Sequence, residues 1–371
     1  MHWPSPPETA DAGVALSLCN HHGKAMRQIA VINQKGGVGK TTTTANLGAA
    51  LALSGRRVLL VDLDPQAHLT LHYGAELVED EPSVYDVLID GRPVDEVVRP
   101  VGENLLLLPA HIDLAGAETE LVSVVARETL LRRALTQATV AYDVLLIDCP
   151  PSLGVLTINA LVACSEVLIP LQAHFLALQG LSRLLQTVAL VRERINPRLR
   201  VGGIALCMHE ATTKLASEVV DDLRRFLESA RDSTAPWSDA CVYRTCVRRN
   251  IKLAEAASFG QTIFTYAPRS NGALDYADLA HEVLEHDGGG AVAGAEPAAA
   301  THPAPEPPPL AMAPVAEPAV PAVTDAAAPE ARPVESPARA SGRNPRQRRR
   351  RPPAQTAGES AAAVAQPAPT P

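Results

Sequence analysis

Short apolar runs punctuate the first 270 positions, and several are followed by Ala/Leu-rich or amphipathic stretches at helical spacing. Ile29-Ala30-Val31-Ile32 and Arg57-Val58-Leu59-Leu60-Val61 read as buried strands. A small-residue helix from Thr43 to Ser54, ended by Gly55, lies between them. Strand, helix and strand within about 30 residues make a βαβ unit, which requires a parallel sheet. Further strands are predicted at 105–108, 144–147, 167–170 and 203–207, and helices at 84–89, 118–137, 181–194 and 218–228. The pattern predicts an α/β fold, a mostly parallel sheet flanked by helices in three layers.

The first of these units carries the chemistry. Between strand and helix stands Lys35-Gly36-Gly37-Val38-Gly39-Lys40-Thr41-Thr42. Gly36, Gly37 and Gly39 let the backbone wrap closely around an anion, and the first N–H groups of the helix have no intrahelical partner. Lys40 brings a point charge to the β- and γ-phosphates of a nucleotide, and the Thr41 hydroxyl is a ligand for Mg²⁺. The general phosphate-loop pattern has Gly six residues before the Lys. Here that position is Gln34, and Lys35 is an added cation.

Two more strands end in acids. The second runs into Asp62-Leu63-Asp64-Pro65-Gln66, at the sheet edge where open α/β sheets bind ligands. The run 144–147 ends in Asp148-Cys149-Pro150-Pro151, a Walker B arrangement that delivers a carboxylate to the water shell of the metal.

Composition narrows the class. The chain has 371 residues, 46% hydrophobic but only 3% aromatic, so its core is built from Leu, Val, Ile and Ala. A net charge of −8 confines any nucleic-acid binding to a local patch. Six cysteines lack metal-ligand spacing and read as reduced, mostly buried residues of a cytoplasmic protein. No apolar run reaches about 18 residues, so no membrane span is expected. Residues 1–27 lack a signal-peptide pattern and read as a flexible extension or as the product of an early start codon.

KGGVGKTT resembles the deviant Walker A motif of the ParA/MinD family of P-loop ATPases, and the resemblance runs over about residues 28–285. DLDPQ matches that family's DxDPQ, and the PAHIDLAGAE and ETLLRRAL stretches look like the chromosomal ParA/Soj branch. The resemblance implies an ATP-sandwich homodimer in which Lys35 reaches the partner's phosphates, and a hydrolytic role for Asp64 with Asp62 in support. It makes Ser152-Leu153-Gly154 the segment that senses the γ-phosphate. It implies ATP and Mg²⁺ as cofactors, non-specific DNA of the nucleoid as a partner, and a ParB/Spo0J-like activator. The sequence alone does not separate chromosome or plasmid partitioning from the positioning of another cargo. A MinD-like membrane ATPase would need a C-terminal amphipathic helix that the tail does not supply.

Arg244, Arg248, Arg249 and Lys252 fall within nine residues. The stretch RRNIKLAEAASFG resembles the family's PRNVRLSEAPSHG, which implies DNA contacts from Arg249 and Lys252 and an adenine contact from Asn250; Arg248 stands where the family has proline and joins the expected DNA-contacting set as a compensating charge. Lys252 replaces an arginine and loses its two-pronged geometry, and a second basic position of the family matches Thr212. His174, between apolar residues, is given no chemistry. Residues 287–371 hold 18 of the 32 prolines and no Phe, Trp, Tyr or Cys, and read as a disordered tail. Six arginines gather at 343–351 within it, suited to a salt-sensitive grip on DNA or an acidic partner.

Overall fold

The computed structural model describes residues 26–286 apart from Glu79, 175–176 and 211–213. The expectations for residues 1–25, for the tail with its arginine run, and for Thr212 lie outside the described residues. Arg27, assigned above to the extension, already belongs to the first strand.

The chain runs β1 (Arg27–Val31), α1 (Lys40–Leu53), β2 (Val58–Asp62), α2 (His68–His72), α3 (Val84–Ile89), α4 (Val94–Val97), β3 (Arg99–Gly102) and β4 (Leu105–Leu108). It continues through α5 (Leu114–Glu120), α6 (Leu130–Gln137), β5 (Val144–Asp148), α7 (Val155–Ala163), β6 (Glu166–Leu171), α8 (Ala177–Arg194), β7 (Arg200–His209) and α9 (Lys214–Ser229). The last elements are β8 (Cys241–Arg248), α10 (Ile251–Ser258), α11 (Ile263–Tyr266) and α12 (Asn271–Glu285). Among the described residues the strands form one eight-stranded sheet of order β3-β4-β2-β5-β1-β6-β7-β8. Only the β3–β4 pair is antiparallel.

Strand periodicity explains the three layers. Along the central strands Ile29, Val31, Leu60 and Leu146 face one core with α1, α11 and α12. Ala30, Ile32, Leu59, Val61, Leu145 and Ile147 face a second core with α3, α5, α7 and α8. Gly48 lets α1 lie close on the sheet, since a Cβ there would stand 2.7 Å from Leu60 Cδ2. The phosphate-loop helix is thereby fixed against the two strands that flank the site.

The helix expected at 118–137 is a misreading. The chain leaves α5 after Glu120, makes two short 3₁₀ turns around Ala126 at φ 57°, and starts afresh as α6. Val122, Val124 and Val125 supply three β-branched residues in four, which weakens a helix. Tertiary capping fixes the break: the Asn159 side chain on α7 accepts from Leu131 N–H at 3.1 Å and donates to the Arg127 carbonyl at 2.9 Å. No helix among the described residues is long and apolar enough to cross a membrane.

His72 closes α2 inside the core, 2% exposed, with no hydrogen-bond partner for Nε2 among the described residues. Burial pushes its pKa down to about 4. Its neutral form is therefore the folded form, and the unfolded chain binds the extra proton. The stability this imidazole contributes is full above pH 6.5 and is lost as pH falls toward 4. By urea denaturation, His72→Leu is expected to match the parent's unfolding free energy at pH 7 and to exceed it by about 3 kcal/mol at pH 4. Parallel pH curves for the two proteins would refute the assignment.

Candidate nucleotide site

The sheet order places β5 between β2 and β1, and register sets Asp148 level with Asp62 on one side and Val31 on the other. Three strand ends therefore open at one height. From β1 the chain turns through the glycine loop into α1, with Gly37 at φ 72° and Gly39 at φ 92°, left-handed conformations that cost side-chain-bearing residues strain. Gly39 is also the N-cap and offers no side-chain acceptor, so the first-turn N–H groups of α1 stay open to an anion. Val38 is buried and anchors the loop from below.

Lys40 is 7% exposed, and its Nζ donates to the Lys35 carbonyl at 3.3 Å. Burial lowers its pKa, opposed by the charges of Asp148 and Asp64. The Thr41 hydroxyl donates to Asp148 Oδ2 at 2.6 Å, and Thr44 Oγ1 stands 3.3 Å from Asp148 Oδ1. Asp62, fully buried, accepts from the N–H of Asp64 at 3.1 Å and from both the N–H and the hydroxyl of Thr70, at 2.9 and 2.8 Å. Asp64, 7% exposed, accepts from Gln66 N–H at 3.0 Å.

Two buried carboxylates on adjacent strands are more negative charge than one buried ammonium offsets. Burial raises both Asp148 and Asp62 above the usual carboxylate range, reinforced at Asp148 by the charge of Asp62 and held back at Asp62 by its Thr70 hydrogen bonds. The excess marks a place for a cation. A hydroxyl and a carboxylate oxygen 2.6 Å apart at the foot of an anion loop are hard oxygen donors that fit Mg²⁺.

Lys35 is exposed, at the outer side of the loop. Its N–H donates to Asn33 Oδ1 at 3.0 Å, while Asn33 Nδ2 donates to the Pro170 carbonyl in β6 at 2.8 Å. Its ammonium lies against His174 Nε2. Sequence reasoning passed over Asn33 and gave His174 no chemistry. An Asn two residues before the lysine was the available signal for the first. The segment Ser152-Leu153-Gly154 leads from Asp148 into α7, and Glu118 of α5 packs so closely that a Cβ on Gly154 would stand 2.0 Å from its Oε1.

Asn250 and the basic residues lie at the carboxyl end of β8, on the same sheet edge but beyond β6 and β7. The Asn250 side chain caps α10 by accepting from Lys252 N–H at 3.0 Å. Each of the three cations has a carboxylate partner. Arg248 donates from Nε to Asp275 at 3.0 Å, Arg249 from Nε to Glu210 at 2.7 Å, and Lys252 from Nζ to Glu255 at 2.7 Å. Asp275 is 5% exposed and also accepts from Arg248 N–H, so Arg248 is tied into the fold. The pairs of Arg249 and Lys252 are open to water.

Comparison with known proteins gives this geometry its context. The AAA domain family matches residues 26–201. The sporulation initiation inhibitor protein Soj of Bacillus subtilis is 49% identical over 256 residues, covering 69% of this chain and 97% of Soj. The chromosome-partitioning ATPase Soj of Thermus thermophilus is 46% identical over 259 residues, covering 70% and 96%. The chain belongs to the ParA/Soj family of chromosome-partitioning ATPases. Among solved structures, cobyrinic acid a,c-diamide synthase from Mycobacterium smegmatis with a bound ATP analog and magnesium is 38% identical, with a TM-score of 0.59, covering 71% of this chain and 96% of that one. The ParA/Soj relatives align with about seven-tenths of the chain, and the fold of the described part is that of a P-loop NTPase.

Proposed function

We propose that this ParA/Soj-type chain is a Mg²⁺-dependent ATPase whose ATP-bound form dimerises, binds DNA non-specifically and moves a chromosome or plasmid with a ParB-like partner. Residues 28–286 would form its ATPase domain, working in the cytoplasm on the nucleoid. The observation that carries the reading is the pairing of a buried Lys40 and two buried strand-end carboxylates with an exposed Lys35 on the outside of the same loop.

Gly36 to Thr42 would hold the phosphates through open N–H groups, and Asn250 would meet the adenine. Thr41 and, through water, Asp148 would hold Mg²⁺, which supplies charge neutralisation between the phosphates when bound. Lys40 and the loop amides would stabilise charge on the transferring phosphoryl group, and Asp64 would position the attacking water. The exposed Lys35 would complete a partner's site, so that dimerisation and hydrolysis are coupled. Turnover would be slow until a ParB-like protein completes the machinery.

For DNA, Arg249 and Lys252 are the residues whose water-exposed ion pairs exchange readily for phosphate contacts. Arg248, committed to the buried Asp275, would position that loop. The test is cosedimentation with non-specific duplex DNA. The parent is expected to bind at least about tenfold more tightly with ATP than with ADP, and Lys35→Ala to lose the difference. Equal binding in the two nucleotides would refute the switch.

A further inference from the structure

Lys35 is held at three points within its own protomer. Asn33 takes its N–H, Lys40 its carbonyl, and His174 its ammonium. Asn33 is itself fastened to the Pro170 carbonyl, and His174 stands three residues beyond the last residue of β6. Asn33, tied to the carboxyl end of β6, and His174, just beyond it, thus hold the backbone and the side chain of the lysine from one side of the sheet. An ammonium only donates, so His174 Nε2 must be the acceptor, which requires the neutral tautomer with its proton on Nδ1. A hydrogen bond from a charged donor is among the stronger of its kind. An exposed lysine needs no such partner, because water solvates it well.

We propose that His174 is the resting place of Lys35 in the unassembled protomer, and that releasing this contact is a step in building the ATP-bound dimer. The inference rests on the reading that Lys35 acts across the interface. A lysine occupied within its own chain is unavailable to a partner, and the apparent dimer affinity falls in proportion to the fraction that is free. His174 is thus a positioning residue that acts through Lys35. Deleting the acceptor frees the lysine. Replacing it with a carboxylate holds the lysine more firmly, and replacing it with an amide leaves a neutral acceptor in place.

The experiment is sedimentation velocity with ATP and Mg²⁺ in an Asp64→Asn background, so that nucleotide persists. His174→Ala is expected to lower the dimer dissociation constant about fivefold, His174→Glu to raise it about tenfold, and His174→Gln to stay within about twofold of the parent. Binding of a fluorescent ATP analogue to the protomer and the melting temperature serve as folding controls. A change in the same direction for alanine and glutamate, or none for either, would overturn the proposal, because a merely structural histidine has no reason to respond with opposite signs. Lys35→Ala is expected to abolish the dimer and with it every effect at His174. A Lys35→Ala protein that dimerises like the parent would overturn the interface role of the lysine. Failure confined to the His174 series would leave that role standing.

Discussion

Lys40→Ala is expected to lower ATP turnover by about 10²–10³-fold and to weaken ATP binding, with little loss of thermal stability. Phosphate release, fluorescent ATP-analogue titration and a melting curve read the three quantities. The size follows from where the ammonium sits. Lys40 is 7% exposed, so its charge acts in a poorly screened setting, and removing one preorganised group that stabilises transition-state charge costs about 10²–10³ in rate. The substitution also removes the cation that partly offsets Asp148. The carboxylate would then be still harder to ionise, and the metal would meet a poorer ligand. The fold has less to lose. Burial already lowers the lysine's pKa, a sign that the charged group is not at ease there without a phosphate. Turnover within tenfold of the parent would mean that another group carries the phosphates.

What could be read from the sequence, and what could not, divides by physical cause. β1, β2, β4, β5, β6 and β7 were legible because strands buried on both faces become unbroken apolar runs. β3 and β8 were not, because edge strands carry polar residues on their open side; β8 has buried positions only at Tyr243 and Val247. Its outward N–H groups at Arg244 and Thr245 are taken by Glu282 of α12, a pairing 38 and 37 residues away in sequence. The phosphate loop was legible as a local motif. That Asp62 and Asp148 sit side by side followed only once β5 was placed beside β2. Partners across long separations stayed hidden: His174 meets Lys35 from 139 residues away, and Asp275 meets Arg248 from 27. Lys252 pairs at i,i+3 with Glu255, a partner its spacing shows, but nothing in the spacing reveals the distant Asp275 and Glu210 that take Arg248 and Arg249.

Asp64→Asn is expected to reduce turnover by about 10²-fold or more while ATP binding, ATP-dependent dimerisation and DNA cosedimentation persist. The two acids of the DLDPQ turn can be told apart by what already occupies them. Asp62 receives three hydrogen bonds, from Asp64 N–H and from the N–H and hydroxyl of Thr70, so it is committed to shaping the turn. Asp64 receives one, from Gln66 N–H at Oδ1, and an asparagine carbonyl can receive it as well. The loop should therefore keep its form in Asp64→Asn and lose only the charge and basicity that orient and activate a water, a contribution of about 10²–10⁴ in rate. Asp62→Asn is the contrasting case. Its amide NH₂ must replace one acceptor oxygen among converging donors, which costs about 1–3 kcal/mol of folding stability. If Asp64→Asn instead lost the dimer, Asp64 would belong to nucleotide binding rather than to water positioning. If it kept full turnover, the water would have to be held elsewhere, and Asp148, already shared with Thr41, would be the next carboxylate to test.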